Sequence, residues 1–242
     1  MRAASLIRVA TVSALLASIC GAQAPANRGG GFTEIRLSQI KGSEIYPNLD
    51  RPTKYTLNAT VLFARGTPWS RARALRQIRK TSEIFRACEI GLGRIHIGRL
   101  DLPKELLTVN VENVDTDTGV PRNVRILSEL LHPDIDYPVA FLIGRVDGDQ
   151  SLARSYRTDD VVEGRIPYLN TAWIGYKAHW IPRKDDLYSP LAHEFAHLLC
   201  RCGHERTDQR HLLHSARNFL SSRVLPEHCE RMQQSPLVYL ND

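Results

Sequence analysis

The sequence lacks the features that define several large classes of protein. Beyond the N-terminus, no stretch approaches 18 consecutive apolar residues, so no transmembrane segment is expected in the mature form. There is no regular glycine repeat and no long heptad pattern, which excludes collagen-like and coiled-coil chains. The 32 basic residues form no dense block and accompany no helix-turn-helix, zinc-finger or aromatic platform motif. Nucleic-acid binding is therefore not expected.

Methionine is scarce, with two residues, whereas the remaining composition is ordinary for a globular chain. Apolar residues make up 43% and charged residues 24% of the 242 positions, and the formal net charge is +6. This length suits one sizeable domain or two small ones. An arginine excess can indicate an anionic partner, but here the charges are spread along the chain.

The N-terminus has the pattern of a secretory signal peptide over residues 1–22. Two arginines precede an apolar stretch from Val9 to Ile19, which is too short to span a bilayer, and small residues follow it. We expect cleavage after Ala22 and a secreted or periplasmic location. Lipid attachment at Cys20 is the competing interpretation, although the bulky residue before it is unusual at such a site.

Export would place the remaining cysteines in an oxidising compartment, where disulfides form. Four stay in the mature chain: Cys88, Cys200, Cys202 and Cys229. Cys88 with Cys229 is the preferred pair, because it would join the two halves of the domain. Cys200 and Cys202 would then face each other across one residue, or either could stay free or pair elsewhere.

Hydrophobic periodicity predicts an α/β (α+β) domain over residues 55–242, preceded by a flexible leader at 23–54. Alternation with a period of two marks strands, and apolar residues at helical spacing mark helices. Thr67 and Pro68 are the expected start of the first helix. The stretch 147–166 is polar and is predicted to be a loop. The predicted strands are 55–64, 95–100, 107–111, 138–146 and 169–176, and the predicted helices are 69–88 and 121–132.

The most informative segment is the predicted helix that follows Ser189 and Pro190, a favourable helix start. It contains His193, Glu194 and His197, which form an H-E-x-x-H sequence. Residues four apart lie on one helix face, so both imidazoles can reach a single metal ion. The glutamate lies beside that ion, where it can act as general base on a zinc-activated water.

A catalytic zinc ion needs a third protein ligand and an open fourth position. His204 is the preferred third ligand, since Gly203 can adopt the left-handed conformation that turns the chain back. Other residues could complete the site instead. They are Asp208, His211 and His214, or Glu227 and Glu230 on a later helix.

These motifs resemble the metzincin clan of zinc metallopeptidases, in particular its matrixin-like branch and bacterial secreted members. The resemblance covers roughly residues 138–232 and includes the strands PVAFLIGRV and NTAWIGY, the site helix and a final helix from Leu225 to Met232. It implies a zincin-like fold: a mixed twisted sheet with an antiparallel edge strand, packed on an N-terminal helix and an active-site helix, before an irregular C-terminal part. It also implies that Thr171, Ala172, Trp173 and Ile174 form the edge strand that binds an extended peptide.

The resemblance assigns His193 and His197 as metal ligands and Glu194 as the general base. The sequence departs from the clan's H-E-x-x-H-x-x-G-x-x-H pattern in that Cys200 replaces the glycine and His204 comes one residue late. The clan also has a methionine turn beneath the metal, for which Leu213 is the expected substitute.

We therefore expect a zinc-dependent metallopeptidase, with one catalytic Zn²⁺, a peptide or protein substrate and a monomeric state. A degenerate, non-catalytic zincin-like binding module is the alternative. The intact Glu194 argues against that alternative, whereas the late His204 and the missing methionine favour it. A disulfide-stapled structural domain without metal is the third hypothesis.

Overall fold

The computed structural model describes residues 33–41, 45, 52–114, 116, 119–129, 131, 135–147, 153–156, 170–180, 188–204, 211–214 and 221–241. The predicted signal peptide lies outside these residues, as does Asp208. Among the described residues, no helix combines the length and the apolar character that crossing a membrane requires.

Within the described residues the chain forms nine strands and four α-helices, with short 3-10 turns between them. The strands are β1 (Thr33–Lys41), β2 (Tyr55–Ala64), β3 (Ile90–Asp101), β4 (Thr108–Asn110), β5 (Val139–Ile143), β6 (Arg145–Asp147), β7 (Ala153–Tyr156), β8 (Thr171–Gly175) and β9 (Val238–Leu240). The helices are α1 (Arg71–Arg86), α2 (Arg122–Glu129), α3 (Pro190–Cys200) and α4 (Pro226–Gln233).

The main sheet has the strand order β1-β3-β2-β5-β8-β7, and β9 pairs with the start of β2. The four central strands β3, β2, β5 and β8 run parallel to one another, whereas the edge strands β1 and β7 are antiparallel to their neighbours. Strands β4 and β6 form a separate parallel pair. The expectation of a mixed sheet with an antiparallel edge strand is confirmed.

Helices cover the sheet on both faces, which explains the apolar central strands. Ala140 and Leu142 of β5 belong to a core shared with α1 and α3, whereas Phe141 and Ile143 belong to a core shared with α2. Every residue of β5 and β8 is buried. Parallel strands covered on both faces read as continuous apolar runs, as these two do.

The edge strand differs from the sequence prediction. Thr171, Ala172, Trp173 and Ile174 lie in β8, which pairs with β5 on one side and with β7 on the other, so they are not at an edge. Among the described residues, the edge strand on this side of the sheet is β7, which lies within the stretch predicted to be a loop. Its residues, ARSY, are mostly polar because an edge strand is only partly covered, and this polarity concealed the strand.

Two other boundaries also differ from the prediction. Residues 33–41, expected within the flexible leader, form β1 along β3. Helix α1 starts after Ser70, whose Oγ accepts a hydrogen bond from the Arg73 amide, rather than at Thr67. The Thr67 hydroxyl instead donates to the Ala64 carbonyl at 2.7 Å, and it thereby caps the end of β2.

Two disulfides connect the four cysteines of the described domain. One joins Cys88, directly after α1, to Cys229 on α4, which is the pair that the sequence favoured. The other joins Cys200 to Cys202, at the end of α3. The first disulfide closes a loop of 141 residues, and a loop of this length restricts the unfolded chain strongly.

Asp136 forms an ion pair that links the start of β5 to β3, and its contribution should depend on pH. Its carboxylate accepts two hydrogen bonds from Arg94, at 2.6 and 2.7 Å, and lies 3.0 Å from His96 Nε2. The hydrogen bond from Arg94 is the main reason that the pKa of Asp136 lies below its ordinary value of 3.8. A carboxyl group whose pKa is lowered by folding stabilises the fold above that ordinary value, and this stabilisation is lost as the pH falls through the folded-state pKa.

We therefore expect Asp136→Asn to lower the free energy of unfolding at pH 7 by up to about 1 kcal/mol, since the pair is partly exposed and screened. The difference from wild type should shrink below about pH 4. Urea unfolding at pH 7 and pH 3 measures both values. Asp101→Asn is the control, because its arginine contacts are longer, at 3.5 and 3.9 Å, and its effect should be smaller. An equal loss for Asp136→Asn at both pH values would contradict this account.

Candidate metal centre and active site

The site helix α3 begins at a buried polar cap. Ser189 Oγ accepts a hydrogen bond from the Ala192 amide, and Pro190 occupies the first turn, where its missing amide hydrogen is not needed. The same hydroxyl donates to Gln77 Oε1 of α1 at 2.8 Å, and both side chains are fully buried. The cap therefore fixes the start of α3 against α1, as well as starting the helix.

All eleven residues of α3 are buried, including its three polar ones. The exposed fractions of His193, Glu194 and His197 are 7%, 5% and 8%. The apolar residues of the helix pack into the core shared with α1; they include Leu191, Phe195, Leu198 and Leu199. Burial on both sides makes the helix a rigid base for the polar residues.

The helix ends at Cys200, and the turn that follows differs from the prediction. Arg201 adopts the left-handed conformation, with φ of 53°, whereas Gly203 has no positive φ. The chain therefore reverses two residues earlier than expected. The reversal brings His204 back to the side of α3 that carries His193 and His197.

The side chains of His193, His197 and His204 converge on one point. His193 Nε2 lies 3.1 Å from His197 Nε2 and 3.4 Å from His204 Nε2. One ring nitrogen from each residue falls within 4.8 Å of the others, and within the described part of the chain this is the one His/Cys/Asp/Glu group with such spacing. His204 is exposed, so the cluster opens to solvent on that side.

The opposite ring nitrogens of two histidines are held by backbone carbonyls. His193 Nδ1 lies 2.6 Å from the Leu212 carbonyl oxygen, and His197 Nδ1 lies 2.7 Å from that of Cys202. Because a carbonyl only accepts, each Nδ1 must donate, and the neutral ring then has its lone pair on Nε2. Such outer hydrogen bonds fix the ring orientation of metal-binding histidines.

These geometries fit a divalent cation. The unprotonated Nε2 atoms of His193 and His197, 3.1 Å apart, repel one another unless a cation lies between them. Tetrahedral ligands about 2.0–2.1 Å from zinc are about 3.3 Å apart. Burial and the neighbouring imidazoles also lower the pKa of His193 well below 6.5, which keeps the ring neutral and able to bind a metal. The three-histidine cluster could therefore bind a metal ion.

Glu194 lies beside this cluster in an environment that favours its protonated form. Its Oε1 is 4.0 Å from His193 Nε2. Burial raises the pKa of Glu194 to about 8, against the opposing effects of a hydrogen bond with Ser155 and the positive charge of Arg154. Ser155 belongs to β7, which is the edge strand among the described residues, so the carboxyl group contacts both the histidine cluster and this strand.

A buried turn at 211–214 lies beneath the cluster. Its Leu212 carbonyl contacts His193, and Leu213 is 1% exposed within the α1–α3 core. Leu213 is the residue expected in place of the methionine. The second methionine of the sequence, Met232, is fully buried on α4 and belongs to the same core.

The structure does not bring the other predicted third ligands into the cluster. His211 is fully buried, and its Nε2 contacts His228 Nδ1. His214 is buried at the end of the turn, and Glu227 and Glu230 are exposed on α4. Of the described residues, His204 is the one that completes a group of three with His193 and His197.

Several residues of the site were not predicted from the sequence. The carbonyls of Leu212 and Cys202 hold the two helix histidines, and a backbone group of this kind leaves no residue-type signal. Ser155 contacts Glu194, but its strand was predicted to be a loop. His228 could have been noticed in the sequence because it is a histidine next to Cys229. Its hydrogen-bond partner, His211, is shown only by the fold.

Comparison with known proteins supports the fold. No protein-family model and no curated protein sequence matches the chain. Among solved structures, the chain is similar to metalloproteinase-II from Bacteroides fragilis, with a TM-score of 0.51 and 11% sequence identity. The match covers 77% of this chain and 54% of that one, so the chain spans about half the length of that structure.

Together, the sheet order and the structural neighbour show a mixed α/β fold that is similar to the fold of this metalloproteinase. In this fold the described chain carries a three-histidine cluster that could bind a metal ion.

Proposed function

We propose that the chain is a zinc-dependent metallopeptidase that hydrolyses peptide bonds. His193, His197 and His204 hold the metal, and Glu194 is the general base. The observation that carries this proposal is the position of the Glu194 carboxyl group, buried and 4.0 Å from one of three converging imidazole nitrogens. From this position the carboxylate of a general base can reach a water molecule bound to the metal.

Bound zinc supplies Lewis acidity, which makes water more acidic and polarises the substrate carbonyl. Glu194 takes the proton of the attacking water on its carboxylate and passes it to the leaving amine. Burial raises the pKa of Glu194, which helps the carboxyl group to hold that proton between the two steps. The positive charge of a bound zinc ion would favour the carboxylate form before the first step. The hydrogen bond with Ser155 orients the carboxyl group while the proton is held.

We further propose that the substrate binds along β7. Within the described residues this strand pairs on one side with β8, and its other side is the edge of the sheet. An extended peptide can add to such an edge through backbone hydrogen bonds. Ser155 bonds to Glu194 from this strand, so a peptide paired with β7 would pass close to the general base. Strand β8 pairs with the other side of β7.

The cellular location is part of the same proposal. The N-terminal pattern over residues 1–22 supports export and a mature chain that begins at Gln23. The two disulfides suit an oxidising compartment. We expect the mature protein to act as a monomer.

Cleavage of a mixed library of fluorogenic peptides by the purified chain tests the proposal. We expect turnover that a zinc chelator abolishes and that added Zn²⁺ restores, because the three imidazoles hold the metal reversibly. Cleavage that persists after complete metal removal would contradict the zinc mechanism. A zinc-loaded protein without any cleavage would instead support the non-catalytic binding module.

A further inference from the structure

A second pair of buried histidines lies outside the three-histidine cluster. His211, at the start of the buried turn, is fully buried, and His228 on α4 is 9% exposed. His228 Nδ1 lies 2.9 Å from His211 Nε2. The proposed mechanism does not use either side chain. Buried polar side chains generally have hydrogen-bond partners, and each of these two imidazoles is a partner of the other.

The hydrogen bonds define which nitrogen of each ring donates. The Leu213 amide donates to His211 Nδ1 at 3.2 Å, so this nitrogen carries a lone pair. A neutral His211 therefore carries its proton on Nε2, which donates to His228 Nδ1. His211 thus closes its own turn with one nitrogen and connects that turn to α4 with the other.

The position of this turn determines the position of a metal ligand. Leu212 lies between His211 and Leu213, which are joined by the hydrogen bond from the Leu213 amide to His211 Nδ1. The Leu212 carbonyl accepts the Nδ1 hydrogen bond of His193 at 2.6 Å. The Leu212 amide donates to the Arg223 carbonyl at 2.7 Å. A shift of the turn would therefore move the Leu212 carbonyl and rotate the His193 ring.

Helix α4 is a firm anchor for this connection. Cys229, the residue after His228, is bonded through its disulfide to Cys88 at the end of α1. Met232, one turn further, is fully buried in the core that contains α3. The connection from α4 through His228 and His211 to the Leu212 carbonyl thus begins at a covalently fixed point.

We propose that His211 and His228 are positioning residues of the metal centre, and that their hydrogen bond holds the Leu212 carbonyl against His193. This inference rests on the proposed metal site. It predicts that breaking the bond loosens the metal without removing a ligand. Loss of an outer hydrogen-bond partner of a metal ligand typically costs 10–100-fold in metal affinity.

The test compares His228→Leu with His228→Asn in the full chain, using Co²⁺ as a spectroscopic probe. Leucine removes the acceptor, whereas the asparagine oxygen can replace Nδ1 as acceptor for His211. For His228→Leu we expect about 10-fold faster release of Co²⁺ to a chelator and a shifted visible absorption spectrum. His228→Asn should restore both towards wild type. His211→Asn keeps an acceptor for the Leu213 amide but cannot reach His228, so it should resemble His228→Leu.

Leu127→Ala is the control for lost stability, because Leu127 is buried in the other core, under α2. It should destabilise the fold without changing Co²⁺ release. If wild type takes up no Co²⁺, the metal site itself is refuted. If wild type binds Co²⁺ and both His228→Leu and His211→Asn release it at the wild-type rate, the inference is overturned. The inference is also overturned if Leu127→Ala accelerates Co²⁺ release as much as His228→Leu and His211→Asn do.

Discussion

Glu194→Gln should lower the rate of peptide hydrolysis by about 100- to 10,000-fold while one zinc ion stays bound per chain. A positioned general base contributes a factor of this size, and glutamine cannot take up the proton. The substitution keeps the size of the side chain, which is 5% exposed. It also removes a group whose charged form is disfavoured by burial, so we expect the variant to fold. Turnover of a fluorogenic peptide and zinc content of the same sample measure the two effects.

Glu227→Gln is the matched control, since Glu227 is exposed on α4 and the same chemical change there should leave turnover unaltered. Hydrolysis by Glu194→Gln at the wild-type rate would refute the role of Glu194 as general base. Loss of zinc together with activity would show instead that the carboxyl group supports the metal site.

The second large effect is expected at the third ligand. His204→Ala should weaken zinc binding by more than about 100-fold, because loss of even an outer hydrogen-bond partner costs 10–100-fold. His204 is exposed, so the variant should fold normally and unfold at the wild-type temperature. Competition with a chromogenic chelator measures the affinity.

His214→Ala distinguishes His204 from the competing ligand in the turn. Its side chain is buried, so this variant is expected to lose some stability, but it should retain zinc affinity close to wild type. The reverse pattern, with zinc lost in His214→Ala and kept in His204→Ala, would place the third ligand in the turn and refute the geometry described for His204.

The sequence predicted the local features of the site helix well, because the determinants of those features are close in sequence. Ser189 and Pro190 start α3, and the four-residue spacing of His193 and His197 places both rings on one face. These outcomes depend on helix geometry and on hydrogen bonds within one turn. The same holds for β2, whose alternating pattern predicted its bounds, 55–64.

Features that depend on distant parts of the chain were predicted less well. Strand β7 was expected to be a loop because its residues are mostly polar. The resemblance placed β8 at the edge of the sheet, and its pairing with β7 depends on contacts between distant segments. The chain reversal was assigned to Gly203, whereas Arg201 takes the left-handed conformation. The local preference of glycine for this conformation therefore did not determine where the chain turns.

The measurement that tests the account most directly is zinc content and X-ray absorption of the purified chain. The account predicts one zinc ion per chain with three imidazole nitrogens and one oxygen at about 2.0 Å, from the convergence of His193, His197 and His204. A zinc content near zero after incubation with Zn²⁺, or a zinc ion with fewer than three imidazole ligands, would contradict it.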